Sequence, residues 1–241
     1  MKKFELTAEF VTNIFGKKLF RIKALVSFGN VNAGELGGFV EKEENLSNTG
    51  DAWVYGNAWV SGDALVSGNA RVSGEAWVSG NARASGNARV SGDARVYGNA
   101  WVYGNAWVSG DALVSGNARV SGNARVSGNA RVSGDALVSC NAMVSGKAWV
   151  SGNARVSGDA LVSGNADYSA VKGFGRCFRT TTFFRCTDKV VRVQCGCFYG
   201  DLPQFRSIVK KTHGEGKLAK EYLAIADLME FHFSDEEDAD K

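Results

Sequence analysis

Between Ala52 and Asn165 the apolar and polar positions repeat without interruption in nineteen six-residue units of the form Ala-x-Val-Ser/Tyr-Gly-Asn/Asp. A fixed short period outranks every other fold signal, because one supersecondary unit must then be stacked many times. Side chains alternate along an extended strand, so Ala and Val point to one side while x and Ser or Tyr point to the other. The Gly-Asn or Gly-Asp pair then turns the chain, since both positions tolerate positive φ. All nineteen small positions hold alanine, and eighteen of the nineteen apolar positions hold valine, Ala84 being the exception. The Ala/Val side is therefore the interior. A buried valine contributes about 1.5–3 kcal/mol, and stacking eighteen of them offsets the ordering of so many glycines.

The flanks follow other patterns, as the ends of a stacked array must if its apolar cross-section is to be covered. KFELTAEF and KLFRIKALVSF straddle Gly16-Lys17-Lys18 and predict a β-hairpin, with a loop following through LGGFVEKEENLS. Behind the repeat, GRCFRTTTFFRC and KVVRVQCGCF predict short strands. Asp201 with Gln204 predicts a capping box opening a helix to about Lys211. Gly214 and Gly216 interrupt it, and KLAKEYLAIADLMEFHF predicts a second helix with Leu218, Tyr222, Ile225 and Met229 on one face. The expected division is a hairpin and capping segment over 1–50, the repeat over 51–169, a small α+β domain over 170–233 and an acidic tail over 234–241.

The repeat resembles the hexapeptide-repeat family, whose members wind three units per coil into a left-handed triangular prism. That resemblance implies a mainly β chain: a left-handed parallel β-helix with eighteen residues per coil, an N-terminal β cap and a small C-terminal α+β domain. With strands about 4.8 Å apart the rod is about 30 Å long. The entry segment IKALVSFGNVNAGELGGFVEKEENLSNTGDAWVYGNA is similar to that of YdcK-type and other phage or prophage hexapeptide proteins. TTTFF, GCFYG and KKTHG resemble a terminal domain of the same group.

Chemistry is scarce. Hexapeptide acyltransferases use a histidine base and a loop extruded from the helix; this repeat has neither, its only histidines being His213 and His232 outside it. The three-histidine zinc site of related γ-class carbonic anhydrases has no counterpart. Cys177, Cys186, Cys195 and Cys197 lack the usual metal-ligand pairs two to four residues apart, so buried thiols on strands are expected, with no metal or other cofactor. Asp63, Glu75, Asp93, Asp111, Asp135 and Asp159 occupy the corner position of the repeat and read as turn residues. The start of the chain lacks the apolar run of a secretory signal and no stretch approaches transmembrane length, which places the expected location in the cytoplasm.

Because the inner positions barely vary, the information lies in x. At eighteen residues per coil, one column carries Trp53, Arg71, Arg89, Trp107, Arg125, Met143 and Leu161. A second carries Trp59, Trp77, Arg95, Leu113, Arg131, Trp149 and Asp167, and a third Leu65, Arg83, Trp101, Arg119, Leu137 and Arg155. Outward Trp with Arg is the pair most enriched at interface hot spots. Trp53, Trp59, Trp77, Arg95, Trp101, Trp107, Arg131 and Trp149 are therefore the expected partner or self-association surface, against the simpler reading in which rings and guanidinium groups only stiffen the ladder.

The overall charge of +3 excludes nothing, and the repeat's nine basic residues against six acidic ones leave too little positive charge to favour phosphate strongly. The expectation is a non-catalytic binding or scaffold protein of phage or prophage type, a homo-oligomer (trimer or dimer) that engages a host or phage protein and by analogy blocks a host defence factor. The alternatives are a divergent hexapeptide acyltransferase and a nucleic-acid-binding rod; a membrane role is not expected.

Overall fold

The computed structural model describes residues 2–234. The acidic tail expected over 234–241 lies, from residue 235 on, outside the described residues. At six-residue spacing the repeat forms nineteen two-residue strands, from β4 (Trp53–Val54) to β22 (Leu161–Val162). Each but the last three pairs in parallel with the strand eighteen residues on: Arg89 lies opposite Trp107, and Val90 opposite Val108. The strands thus sort into three parallel sheets of a β-solenoid, the longest stretch in one sheet being the seven strands from β4 to β22. Every repeat alanine and valine, and Ala84 in the exceptional place, is buried.

The corners explain the glycines. Gly116 sits at φ +66, and a Cβ added there would lie 3.0 Å from the backbone N of Gly134 in the next turn. Glycine is thus demanded twice, by the left-handed backbone and by the closeness of the stacking. Cys140 is the one corner that breaks the rule, holding φ 60 with a side chain. A non-glycine residue there costs about 1 kcal/mol. Cys140→Gly should therefore raise stability by about that amount, visible as a higher urea midpoint at unchanged slope. A lower midpoint would mean that the thiol makes a contact worth more than the strain.

At the N-terminal end β1 (Phe4–Thr12) and β2 (Lys18–Ala24) form the expected antiparallel hairpin. The predicted loop is corrected: Leu36–Val40 is a strand, β3, antiparallel to β2 and parallel to β5 (Trp59–Val60), so it joins the hairpin to the solenoid. Gly37-Gly38 looks like a turn signal but serves close approach. A Cβ on Gly37 would fall 2.6 Å from Ile22 Cγ1, and one on Gly38 2.5 Å from the Ala58 carbonyl oxygen. Lys3 is buried in this cap, its ammonium donating to the carbonyls of Gly50 at 3.1 Å and Ala52 at 2.8 Å. Burial lowers its pKa to about 8, with Asp51 opposing the shift.

Regular repeat strands stop at Val162, earlier than the expected boundary at 169, and a short 3-10 turn, Asn165–Asp167, closes the array. Asp167 is not an outward column member: its Oδ2 accepts from the backbone N–H groups of Ser163 and Gly164. A four-stranded antiparallel sheet follows, β23 (Tyr168–Phe174), β24 (Arg179–Arg185), β25 (Val191–Cys195) and β26 (Phe198–Asp201). The alternation of β24 divides the work of its two adjacent phenylalanines. Phe184, with Cys186 just beyond, joins the valine core of the solenoid and plugs its end. Phe183 joins a second core with Val193, Phe205, Ile225, Met229 and Phe233.

That second core seats α1 (Leu202–His213) and α2 (Lys217–Phe233). The capping box forms as the sequence requires, Asp201 Oδ1 accepting from Gln204 N at 2.8 Å and Gln204 Oε1 accepting from Asp201 N at 3.1 Å. Helix α2 buries Ala219, Ile225, Ala226, Met229 and Phe233, whereas Leu218 and Tyr222 are half-buried. The face is rotated from the expected one because the small alanines let the helix approach closely.

Candidate binding surfaces of the solenoid

The eighteen-residue pairing places x residues in the three counted columns. In the first, Arg71 follows Trp53 and Arg125 follows Trp107. In the second, Trp77 follows Trp59 and Trp149 follows Arg131. In the third, Trp101 lies between Arg83 and Arg119.

Trp53 must be removed from the expected surface. It is fully buried, with the rings of Phe28 and Phe4 set edgewise against it at centroid distances of 5.4 and 6.4 Å. The N-terminal cap folds over this first outward position, and residues as distant in sequence as Phe4 leave no trace in the local alternation. Trp59 and Trp77 are half-buried and meet edge to face at 5.7 Å. Trp101 is half-buried and packs on Tyr103 at 4.7 Å. Arg95 and Arg131 are exposed. Trp107 and Trp149 are the tryptophans most open to solvent, 39% and 52% exposed.

Each of four indoles also reaches back to the preceding turn. Trp77 Nε1 donates to Ser61 Oγ at 3.4 Å, Trp101 to Ser85 at 2.9 Å, Trp107 to Ser91 at 3.2 Å and Trp149 to Ser133 at 3.1 Å. Their N–H groups are thus satisfied, while the flat faces of Trp107 and Trp149 stay available. Trp107 is further held between the guanidinium groups of Arg89 and Arg125, 5.9 and 5.8 Å from its ring. Such stacking immobilises three long side chains before any partner arrives, lowering the ordering cost of association.

Two corners carry a feature that the turn-residue reading missed. Asparagine amides donate to the residue eighteen positions on, from Asn69 through Asn87, Asn105, Asn123 and Asn141 to Asp159. A second ladder runs from Asn81 through Asn99 and Asn117 to Asp135. The sequence signal was there: the same amide recurs at eighteen-residue spacing. The ladders edge the outward columns with fixed polar groups, so the first column lies in a shallow trough in which Asn87, Asn105 and Asn123 flank Arg89, Trp107 and Arg125.

Groups suited to catalysis are dispersed. His213 stacks on Tyr222 at 5.8 Å and His232 packs on Phe233 at 4.8 Å. Among the described residues no three His, Cys, Asp or Glu side chains come together as metal ligands. All five cysteines are free thiols, but the expectation that those near the end are buried on strands is corrected in part: Cys177 and Cys197 are exposed in turns. Cys186 is buried and Cys195 half-buried. Burial pushes the Cys186 thiol up, and burial with the neighbouring Cys186 pushes the Tyr199 hydroxyl up to about 12. No helix among the described residues is long and apolar enough to cross a membrane.

The repeats match the family model of the YdcK beta solenoid repeat. The matched segments are 64–80, 94–116, 112–128, 118–134 and 124–140, all within the stacked strands, and together they cover less than half of the chain. No curated protein matches the chain. The similarity and the parallel strand stacking together support a repeat β-solenoid protein.

Proposed function

We propose that this chain is a non-catalytic binding protein of phage or prophage type. In this reading it is a left-handed rod of three hexapeptides per coil that presents the Arg89–Trp107–Arg125 strip and Trp149 to a protein partner. The observation that carries the reading is the state of Trp107: 39% exposed, yet already fixed between two guanidinium groups. A preordered, solvent-facing Trp–Arg cluster is the chemistry of an interface hot spot. Trp149 lies on a different sheet, so one strip serves a partner while the other serves self-association into a dimer or trimer. A host defence factor as the partner rests on analogy with the phage group alone.

The test compares the parent with Trp107→Ser and Trp149→Ser as baits in host lysate, alongside solution mass and thermal melts of each. One substitution should weaken partner capture by at least about 2 kcal/mol, a factor of about 30 in affinity, and the other should lower the oligomer mass. Both melts should stay near the parent's, since the rings face water. If both variants keep the parent's mass and partner, the outward tryptophans only stiffen the ladder. A covalent acyl adduct or turnover of an acyl donor would favour the transferase alternative; tight, salt-dependent capture of a DNA duplex would favour the nucleic-acid rod.

A further inference from the structure

The seam between the last turns of the solenoid and the β23–β24 hairpin holds a groove of about 520 Å³ lined by Asn153, Arg155, Lys172, Phe178, Arg179 and Cys197. A second hollow of about 470 Å³ shares Asn153, Lys172 and Thr180 and adds Ser151 and Tyr168. The three cations come from three different strands, Arg155 from β21 (Arg155–Val156), Lys172 from β23 and Arg179 from β24. Among the described residues no carboxylate lines either hollow. None of the three cations forms an ion pair among the described residues, although other basic side chains of the same end do, Arg192 with Asp188 and Arg206 with Asp227. Three like charges lining one groove repel one another, and an anion relieves that repulsion.

Two further observations point to what the anion carries. Arg179 lies across the turn at Gly196, where an added Cβ would come within 2.7 Å of its Nη1, so the glycine gives the guanidinium room to lie there. Its planar fork suits the paired oxygens of a phosphate. Phe178, at the rim, is 69% exposed and adopts φ 49, a left-handed conformation that disfavours an aromatic residue. Phe178 is the last residue of the Gly175–Phe178 hairpin turn, its N–H directed to the Gly175 carbonyl, and the turn holds the flat ring in solvent beside the three cations. The groove volume falls within the usual range for small-molecule sites, about 300–1,000 Å³.

We infer that this groove binds a free nucleotide, its phosphate held by Arg155, Lys172 and Arg179 and its base stacked on Phe178. The inference is independent of the protein-binding role of the tryptophan columns, because no groove residue belongs to the Arg89–Trp107–Arg125 strip or includes Trp149.

Calorimetric titration of the full chain with adenosine 5′-monophosphate, adenosine, inorganic phosphate and a ten-residue oligothymidylate tests it. The monophosphate should bind one per chain, with adenosine and phosphate each at least tenfold weaker. Arg155→Ala with Arg179→Ala should weaken the monophosphate at least tenfold, and Arg179→Lys, which keeps the charge and removes the fork, should lie between. Phe178→Asn retains a residue that tolerates the left-handed backbone. It should reduce the monophosphate to the affinity of phosphate alone without lowering the melting temperature. Bound monophosphate should also slow alkylation of Cys197 and leave that of exposed Cys140 unchanged. Absence of monophosphate binding at millimolar concentration, or binding unaffected by these substitutions, would overturn the inference. So would an oligothymidylate that binds more tightly than the monophosphate with a steeper salt dependence, since the surface would then track a strand.

Discussion

Val120→Asp should leave the chain without a cooperative melt, whereas Arg119→Ala beside it should fall within about 0.5 kcal/mol of the parent. The two residues are adjacent on one two-residue strand and face opposite ways. Val120 is fully buried, with Val102 and Val138 in register on either side. Around it are alanine and valine side chains, which offer a carboxylate no hydrogen-bond donor. The substitution forfeits about 1.5–3 kcal/mol of valine burial and adds a desolvation cost of several kcal/mol for the charge. A typical domain has about 5–15 kcal/mol in total, and here the lesion lies mid-array, where it uncouples the turns on both sides. Circular dichroism melts with limited proteolysis distinguish global from local loss. Equal tolerance of both substitutions would mean that the interior has been assigned to the wrong side of the strand.

The second large effect belongs to the cap. Trp53→Ala should cost about 3–5 kcal/mol, the range for emptying a buried aromatic site, while Trp149→Ala should cost less than about 1 kcal/mol. Both tryptophans occupy the same position of the repeat, so the contrast measures the hairpin's cover and not the solenoid's own chemistry. Trp53 Nε1 is buried without a hydrogen-bond partner among the described residues. Trp53→Phe therefore removes an unsatisfied donor along with part of the ring, and should cost less than half of the alanine effect. Urea titrations of the three variants decide the matter; equal losses at positions 53 and 149 would mean that the cap does not close over Trp53 in solution.

What could be read in the sequence was what is periodic. Alternation placed every Ala and Val inside, and counting by eighteen placed Arg89 beside Trp107 and Arg131 beside Trp149, as the strand register does. These features repeat many times, so each position corroborates the others. Features that occur once and depend on distant segments were not legible. The burial of Trp53 needs Phe4 from the hairpin and Phe28 from the segment just after it; the strand at Leu36–Val40 was hidden by Gly37-Gly38, which signals a turn locally and close packing in the fold. Cys177 and Cys197 were read as strand thiols because the flanking aromatic and β-branched residues mask the turns they occupy. The cationic groove draws single residues from three strands, and no spacing in the sequence announces it.

The eighteen-residue register also governs how such a chain can change length over evolutionary time. Excision of residues 106–123 would bring Trp101 opposite Leu137, already a member of its own column, and every side of the rod would rejoin itself with the ends still aimed as before. Excision of only 106–111 would set Trp101 opposite Arg125, which belongs to another side, and swing the C-terminal sheet round the axis relative to the N-terminal hairpin. Recombination between repeats is therefore silent for the mutual orientation of the two end structures only in steps of eighteen residues. A shift of six or twelve re-aims one end against the other while leaving the interior chemically unchanged.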